Sequence, residues 1–176
     1  MRILREDAVA LVVDYQEKLV PVMNEKEFLI ERSQILLQGL KILGVPMIIT
    51  QQYTKGLGTT VENICAAAGK SDYIEKLSFS AYEQVEDQIE GKKYVIVCGI
   101  ESHICVLQTV IDLAAAGYVP VVVEDCISSR QKTDKEIALK RMSQEGAVIT
   151  TSESLLFELL RVAGTETSKK IQRLIK

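Results

Sequence analysis

Short apolar runs recur along the chain, with helix-like segments between them, and this alternation constrains the fold more than any other feature. Residues 8–13, 47–50, 94–100, 119–123 and 147–150 are the runs, and 73–77 is a shorter strand-like segment. Runs of this length, rich in valine and isoleucine, are typical of parallel strands buried on both faces. Between them, residues 25–43 carry apolar side chains at helical spacing, and Gly44 closes that helix before Val45-Pro46. Ser80 to Glu83 and Thr133 to Glu136 have the spacing of capping boxes, so helices are expected to start there. Further helices are expected over 61–68, 106–116, 152–162 and 166–175. Parallel strands need crossovers, and crossovers of this length are helical. The chain therefore predicts an α/β fold in one domain over residues 1–176. It should be an open parallel sheet of about six strands with helices on both faces, a Rossmann-like three-layer sandwich.

Composition narrows the function classes. Net charge is −3, from 21 basic and 24 acidic residues that are interspersed along the chain. The one basic grouping, Lys169, Lys170, Arg173 and Lys176, reads as the solvated face of a terminal helix. Nucleic-acid binding needs a concentrated positive face, so no nucleic-acid partner is expected. No stretch approaches the ~20 apolar residues of a membrane span, and charge at Arg2, Arg5, Glu6 and Asp7 precedes any signal-like apolar run. A cytoplasmic protein is expected, with Cys65, Cys98, Cys105 and Cys126 as free thiols. There is no CxxC pair, and His103 is the only histidine, so a multi-histidine metal site within one chain is excluded.

Ligands in open α/β sheets bind outside the carboxyl ends of the strands. Strand one ends at Asp14, Lys76 lies in the third strand, and strand four ends in Gly99-Ile100-Glu101-Ser102-His103-Ile104-Cys105. Cys105 falls at the start of the following helix, where free N–H groups and the helix dipole favour a thiolate. With Lys76 as a neighbour, its pKa is expected below the ~8.5 of a free thiol. Each residue also has a plain structural reading: a buried packing cysteine, a turn-capping aspartate, a surface lysine. Taken together they place a nucleophile, a base and a cation at the ends of neighbouring strands. His103 reads as a rim residue, and Cys65, Cys98 and Cys126 as packing. Gly69-Lys70-Ser71 lacks the earlier glycine and the preceding strand of a phosphate-binding loop.

The segment Gly99 to Val106 resembles the nucleophile segment of isochorismatase-like cysteine hydrolases. Asp14, and Lys76 before Ser78-Phe79-Ser80, match that family's aspartate and lysine in order and spacing. Asp125 with Ser128-Ser129-Arg130 resembles a further family segment, and the likeness runs from about residue 6 to 160. The resemblance implies that Asp14 takes the thiol proton, that Lys76 stabilises the developing negative charge, and that Cys105 attacks an electrophilic carbon. It implies a cis peptide at Ile100–Glu101, with the N–H groups of Glu101 and Cys105 holding the oxyanion. It also implies a homo-oligomer.

One departure concerns metals. Nicotinamidases of this family carry metal ligands after strand two, where this chain has Gln52, Tyr53 and Thr54, neutral groups that suit a divalent transition metal poorly. No metal and no other cofactor are therefore expected. Gln52, Tyr53, Phe79 and Tyr82 are the candidates for the substrate pocket. The expected function is hydrolysis of a small molecule, at an amide or related C–N bond, through a covalent thioester-type intermediate. The alternatives are a binding or scaffold protein that keeps the fold, and a redox-responsive thiol protein with a resolving cysteine such as Cys126.

Overall fold

The computed structural model describes residues 1–176. Six strands, β1 (Ala8–Val13), β2 (Met47–Gln52), β3 (Ile74–Lys76), β4 (Tyr94–Ile100), β5 (Val119–Ser128) and β6 (Val148–Thr150), form one sheet in the order β3-β2-β1-β4-β5-β6. Every strand pair is parallel. The helices are α1 (Lys26–Leu43), α2 (Thr54–Leu57), α3 (Glu62–Ala68), α4 (Tyr82–Ile89), α5 (Leu107–Ala115), α6 (Lys132–Gln144), α7 (Ser152–Leu160) and α8 (Glu166–Ile175).

Strand alternation divides the core in two. Ala8, Ala10 and Val12 of β1 point into a cluster built with α1, α3, α7 and α8. Val9, Leu11 and Val13 point to the other side, against α4, α5 and α6. The period of two in side-chain direction makes β1 apolar at every position, because both faces are covered. The expected three-layer sandwich is what forms.

The chain winds outward through β1, β2 and β3, then returns to place β4 on the other side of β1. The carboxyl ends of β1 and β4 therefore flank the switch point, where such sheets open a crevice. Gly99 makes the close approach there possible. Its φ is +136°, and a Cβ on it would lie 2.1 Å from the Val13 carbonyl oxygen. No other residue fits this position without moving β1 from β4.

Several boundaries differ from those expected. β2 runs on to Gln52, and one turn of helix, α2, occupies the segment expected to be loop. β5 continues past residue 123 to Ser128 through an irregularity: Val97 pairs with Val122, but Gly99 pairs with Ile127. The extra residues carry Glu124, Asp125 and Cys126 forward. Neither capping box forms. The residue before α6 is Gln131, with no side-chain cap, and Thr133 lies inside the helix. Ala81 precedes α4 with no side-chain cap, although Ser80 Oγ accepts from the Tyr82 N–H at 3.3 Å.

Candidate active site

β1 ends at Asp14 in a left-handed conformation with φ 53°, which asparagine and aspartate tolerate better than other side chains. Asp14 is fully buried. Thr50 Oγ1, at the same level of β2, donates to Asp14 Oδ1 at 2.8 Å. The other oxygen, Oδ2, lies 2.7 Å from Lys76 Nζ. That contact is an ion pair without an aligned hydrogen bond, so Oδ2 keeps a free lone pair.

Lys76 is equally buried at the end of β3. Its ammonium also faces Gln52 Oε1 at 2.7 Å, the Phe79 carbonyl at 2.8 Å and the Ser78 carbonyl at 3.2 Å. An ammonium has three N–H groups, so four oxygens saturate it. The Gln52 amide is oriented by the same contacts. Lysine can only donate, which fixes Oε1 toward Nζ, and Nε2 donates to the Leu77 carbonyl at 2.8 Å.

Cys105 enters from the opposite side of the switch point. The helix expected from residue 106 begins as a wider π-type turn over Ser102–Val106 before α5. Such turns recur at functional sites. The Cys105 thiol points to Gln52 Oε1 at 4.0 Å, and Gln52 Oε1 in turn meets Lys76 Nζ, the ammonium that pairs with Asp14. Thr109 Oγ1 donates to the Cys105 carbonyl at 2.7 Å and accepts from the Ala81 N–H at 2.9 Å, which ties the turn to the start of α4. The Ile100–Glu101 peptide is cis. The Glu101 carboxylate accepts from the Arg130 backbone N–H and from Arg130 Nε.

Asp14, Lys76, Cys105 and Gln52 thus meet in one dry cluster. Its electrostatics reverse the expected thiol shift. Burial pushes the Cys105 thiol up to about 12, the Asp14 carboxylate adds to the rise, and Lys76 offsets only part of it. The expectation of a lowered thiol pKa was wrong because sequence position does not reveal how dry the site is. Burial also raises the Asp14 pKa, with Lys76 and Thr50 opposing. The resting pair is a protonated thiol beside a basic carboxylate.

The rim residues separate. Tyr53 and Phe79 are half-exposed beside the cluster, with Leu77 more exposed between Lys76 and Phe79. Tyr82 lies elsewhere. Its ring meets Tyr118 with centroids 6.3 Å apart, and it lines a shallow hollow of about 680 Å³ with Glu86, Asp112 and Ala115. Those partners sit toward the far end of α5 from Cys105. His103 is held by Ser129 Oγ at 2.9 Å from Nδ1 and lies 3.8 Å from Asp134. Cys98 and Cys126 pack in the core on the opposite face of the sheet from Cys105, which removes Cys126 as a resolving thiol. Sequence reasoning missed Thr50, Thr109 and Gln16. Gln16 donates from Nε2 to the Gln52 and Gly58 carbonyls and accepts the Gln52 N–H on Oε1. A polar residue inside an apolar run was the available signal at Thr50 and Thr109.

A doubly wound parallel sheet with a cysteine turn beside its switch point defines the class, and comparison with known proteins gives the family. Residues 8–154 match the isochorismatase domain, and the chain belongs to that family. It is 36% identical over 178 residues to isochorismatase domain-containing protein 2A of Mus musculus, covering 99% of this chain and 85% of that one. Among solved structures, a protein described as MAR1 ribonuclease from Caenorhabditis elegans superposes with a TM-score of 0.93 at 36% identity, over 99% of this chain and 92% of that one. The YcaC gene product of Escherichia coli, described as an octameric hydrolase of unknown specificity, superposes with a TM-score of 0.84 at 26% identity, over 92% and 83%. No helix is long and apolar enough to cross a membrane.

Proposed function

We propose that this chain is a cysteine hydrolase that cleaves an amide or related C–N bond of a small molecule through a thioester-type intermediate on Cys105. The observation that carries this reading is the buried Asp14 carboxylate, whose Oδ2 lies 2.7 Å from Lys76 Nζ without a hydrogen-bond partner, in the same buried cluster as the Cys105 thiol that meets Gln52 Oε1 at 4.0 Å. A carboxylate whose pKa is raised is a stronger base, and a thiol needs such a base to attack. The thiol proton passes to Asp14 as sulfur bonds to the carbonyl carbon. The carbonyl oxygen takes the negative charge, and the backbone N–H groups of Glu101 and Cys105 stabilise it. Lys76 has no N–H left for that oxygen, so its work is to hold Asp14 ionised in a dry site. Collapse breaks the C–N bond, and Asp14 returns the proton to the leaving nitrogen. Water then attacks the thioester, with Asp14 taking its proton and returning it to sulfur as the acid departs.

The donor set supports metal independence, since Gln52 Oε1 is committed to Lys76 and no three acidic, histidine or cysteine side chains converge. Family likeness to an octameric hydrolase supports a homo-oligomer, and four unpaired cysteines support a cytosolic setting. The test is intact-protein mass spectrometry after incubation with a panel of small neutral amides, with a short RNA as a separate arm. A covalent adduct on Cys105 and release of the amine are expected. RNA cleavage that survives Cys105→Ala, with no amide turned over, would overturn the reading.

A further inference from the structure

We propose that His103 is a positioning residue of the nucleophile turn: through Ser129 it anchors that turn to the chain just past β5, and so aims the backbone N–H groups of Glu101 and Cys105 at the reacting carbonyl oxygen. The inference rests on the hydrolase reading above and concerns a residue that the reading leaves without a role. The backbone of the turn closes on itself. The Glu101 carbonyl accepts from the Ile104 N–H at 3.1 Å and from the Val106 N–H at 3.2 Å, and the Leu107 N–H reaches the Ser102 and Ile104 carbonyls. Such bonds set the shape of the turn but not its angle to the sheet. The residues after β5 supply that restraint. His103 Nδ1 lies 2.9 Å from Ser129 Oγ, and Arg130 holds the Glu101 carboxylate through its backbone N–H and Nε.

The irregularity in β5 brings these residues level with the turn. Pairing advances from Val122 to Ile127 on β5 while β4 advances only from Val97 to Gly99, so Ser128 stands opposite Ile100 and the next residues meet the turn. Ser129 is fully buried, and its hydroxyl has His103 as its one side-chain partner. A buried hydroxyl left unpaired is costly, so the imidazole is held where it stands. The hydroxyl proton needs an acceptor. That makes Nδ1 the unprotonated nitrogen of the neutral ring and puts the N–H on Nε2, 3.8 Å from Asp134 Oδ2 in the first turn of α6. The two side chains thus leave the turn toward different elements, His103 toward β5 and α6, and the Cys105 thiol toward Gln52 of β2. His103 acts through the backbone between them, and a shift of about 1 Å in an aligned group is enough to cost on the order of a hundredfold in rate.

Two reagents that react at the same sulfur test the proposal on the full chain. With p-nitrophenyl acetate, sulfur bonds to the acetyl carbon and the thiol proton passes to Asp14. Negative charge builds on the carbonyl oxygen before p-nitrophenolate leaves. With iodoacetamide, sulfur displaces iodide from carbon and no oxyanion forms. The ratio of acetylation to alkylation rates at Cys105, read by peptide mass spectrometry with thermal melts alongside, therefore isolates the oxyanion donors. His103→Ala and Ser129→Ala should each lower that ratio about tenfold. The double variant should match the worse single, because both substitutions break one bond. His103→Asn should return the ratio toward the parent's, since the asparagine Oδ1 can accept the Ser129 O–H from near the place of Nδ1. An unchanged ratio in His103→Ala with a preserved melt, losses that multiply in the double, or His103→Asn as low as His103→Ala would overturn the proposal. Simple loosening of the turn would change both rates together, and that outcome overturns it too. If His103→Ala does not fold, Ser129→Ala decides by the same ratio. Failure of the hydrolase reading appears separately, as alkylation of Cys105 in the parent chain without any acetyl transfer to it.

Discussion

Two buried acid–cation pairs lie near carboxyl ends of the sheet, and they are built differently. Asp125, in the forward part of β5, uses both carboxylate oxygens. Oδ1 accepts from the Ser152 N–H at 2.7 Å, and Oδ2 accepts from Ser152 Oγ at 2.6 Å and from Arg32 Nε at 3.1 Å. The pair pins α1 and the start of α7 to β5, and the carboxylate caps the N-terminus of α7 where the helix dipole favours it. Asp14 spends one oxygen on Thr50 and leaves the other facing Lys76 with a lone pair unused. A structural pair saturates its acid, whereas the pair at the switch point saturates its cation and leaves the acid something to do. In sequence both are an aspartate after a valine-rich run, and only the geometry separates them.

The sharpest way to break this contrast is to neutralise each acid. Asp14→Asn and Cys105→Ala should each lower turnover by on the order of a hundredfold or more, and the double variant should cost little beyond the worse single, because one unit is already broken. Asp125→Ala should leave turnover per folded molecule near normal. Steady-state kinetics normalised to folded protein decides it, and a hundredfold loss in Asp125→Ala would erase the distinction.

Stability should show the reverse order of interest. Lys76→Ala strands a buried carboxylate and should cost about 3–5 kcal/mol. Asp125→Ala should cost on the order of 2 kcal/mol, allowing for the partial exposure of Arg32. Denaturant melts read both, and a smaller loss for Lys76→Ala than for Asp125→Ala would contradict the burial of the site pair.

A third measurement uses pH. The Cys105 and Cys98 thiols are both pushed from the ordinary 9.0 to about 12 by burial. Folding therefore favours their protonated forms. The stability this contributes is whole below about pH 9 and is lost as pH rises toward 12. Cys105→Ala should flatten the alkaline fall in melting temperature and leave the Cys98 share. An unchanged slope would mean that the site thiol ionises as easily folded as unfolded.

The smallest expected effects concern labelling and metals. Cys65 is the one cysteine that is not buried, and it should react with iodoacetamide before Cys105, with Cys98 and Cys126 silent until unfolding. Exhaustive chelation should leave any turnover unchanged. Cys105 reacting first in the parent chain, or activity lost with a divalent ion, would each break the picture of a dry, metal-independent site.

Much of this was legible in the residues. β1 and β4 have the expected bounds because strands covered on both faces must be apolar throughout. Asp14, Lys76 and Cys105 come together as their sequence positions suggest, because all three stand at or just beyond carboxyl ends of strands in one parallel sheet. The length of β5 was not legible, since Glu124 and Asp125 look like a strand end while the irregularity carries the pairing on to Ile127 and Ser128. The direction of the Tyr82 ring was not legible, since an amphipathic helix start does not reveal which neighbour its side chain meets, here Tyr118. The direction of the Cys105 shift was misjudged because charge neighbours can be guessed from sequence, whereas exclusion of water depends on the packing of every layer. The saturation of Lys76 depends on two backbone carbonyls, which no side-chain pattern records.

The crowding at Gly99 has a mechanical consequence. The β4 backbone lies so close to the Val13 carbonyl that the strand ending at Asp14 and the strand leading to the Cys105 turn have no room for a side chain between them at Gly99. Asp14 and the cysteine turn are therefore carried on two closely packed, paired strands. The segments at 53–60 and 77–81 are less confined, with Tyr53 and Phe79 half-exposed and Leu77 mostly so. Tolerance for new substrates should then be found by altering those two segments.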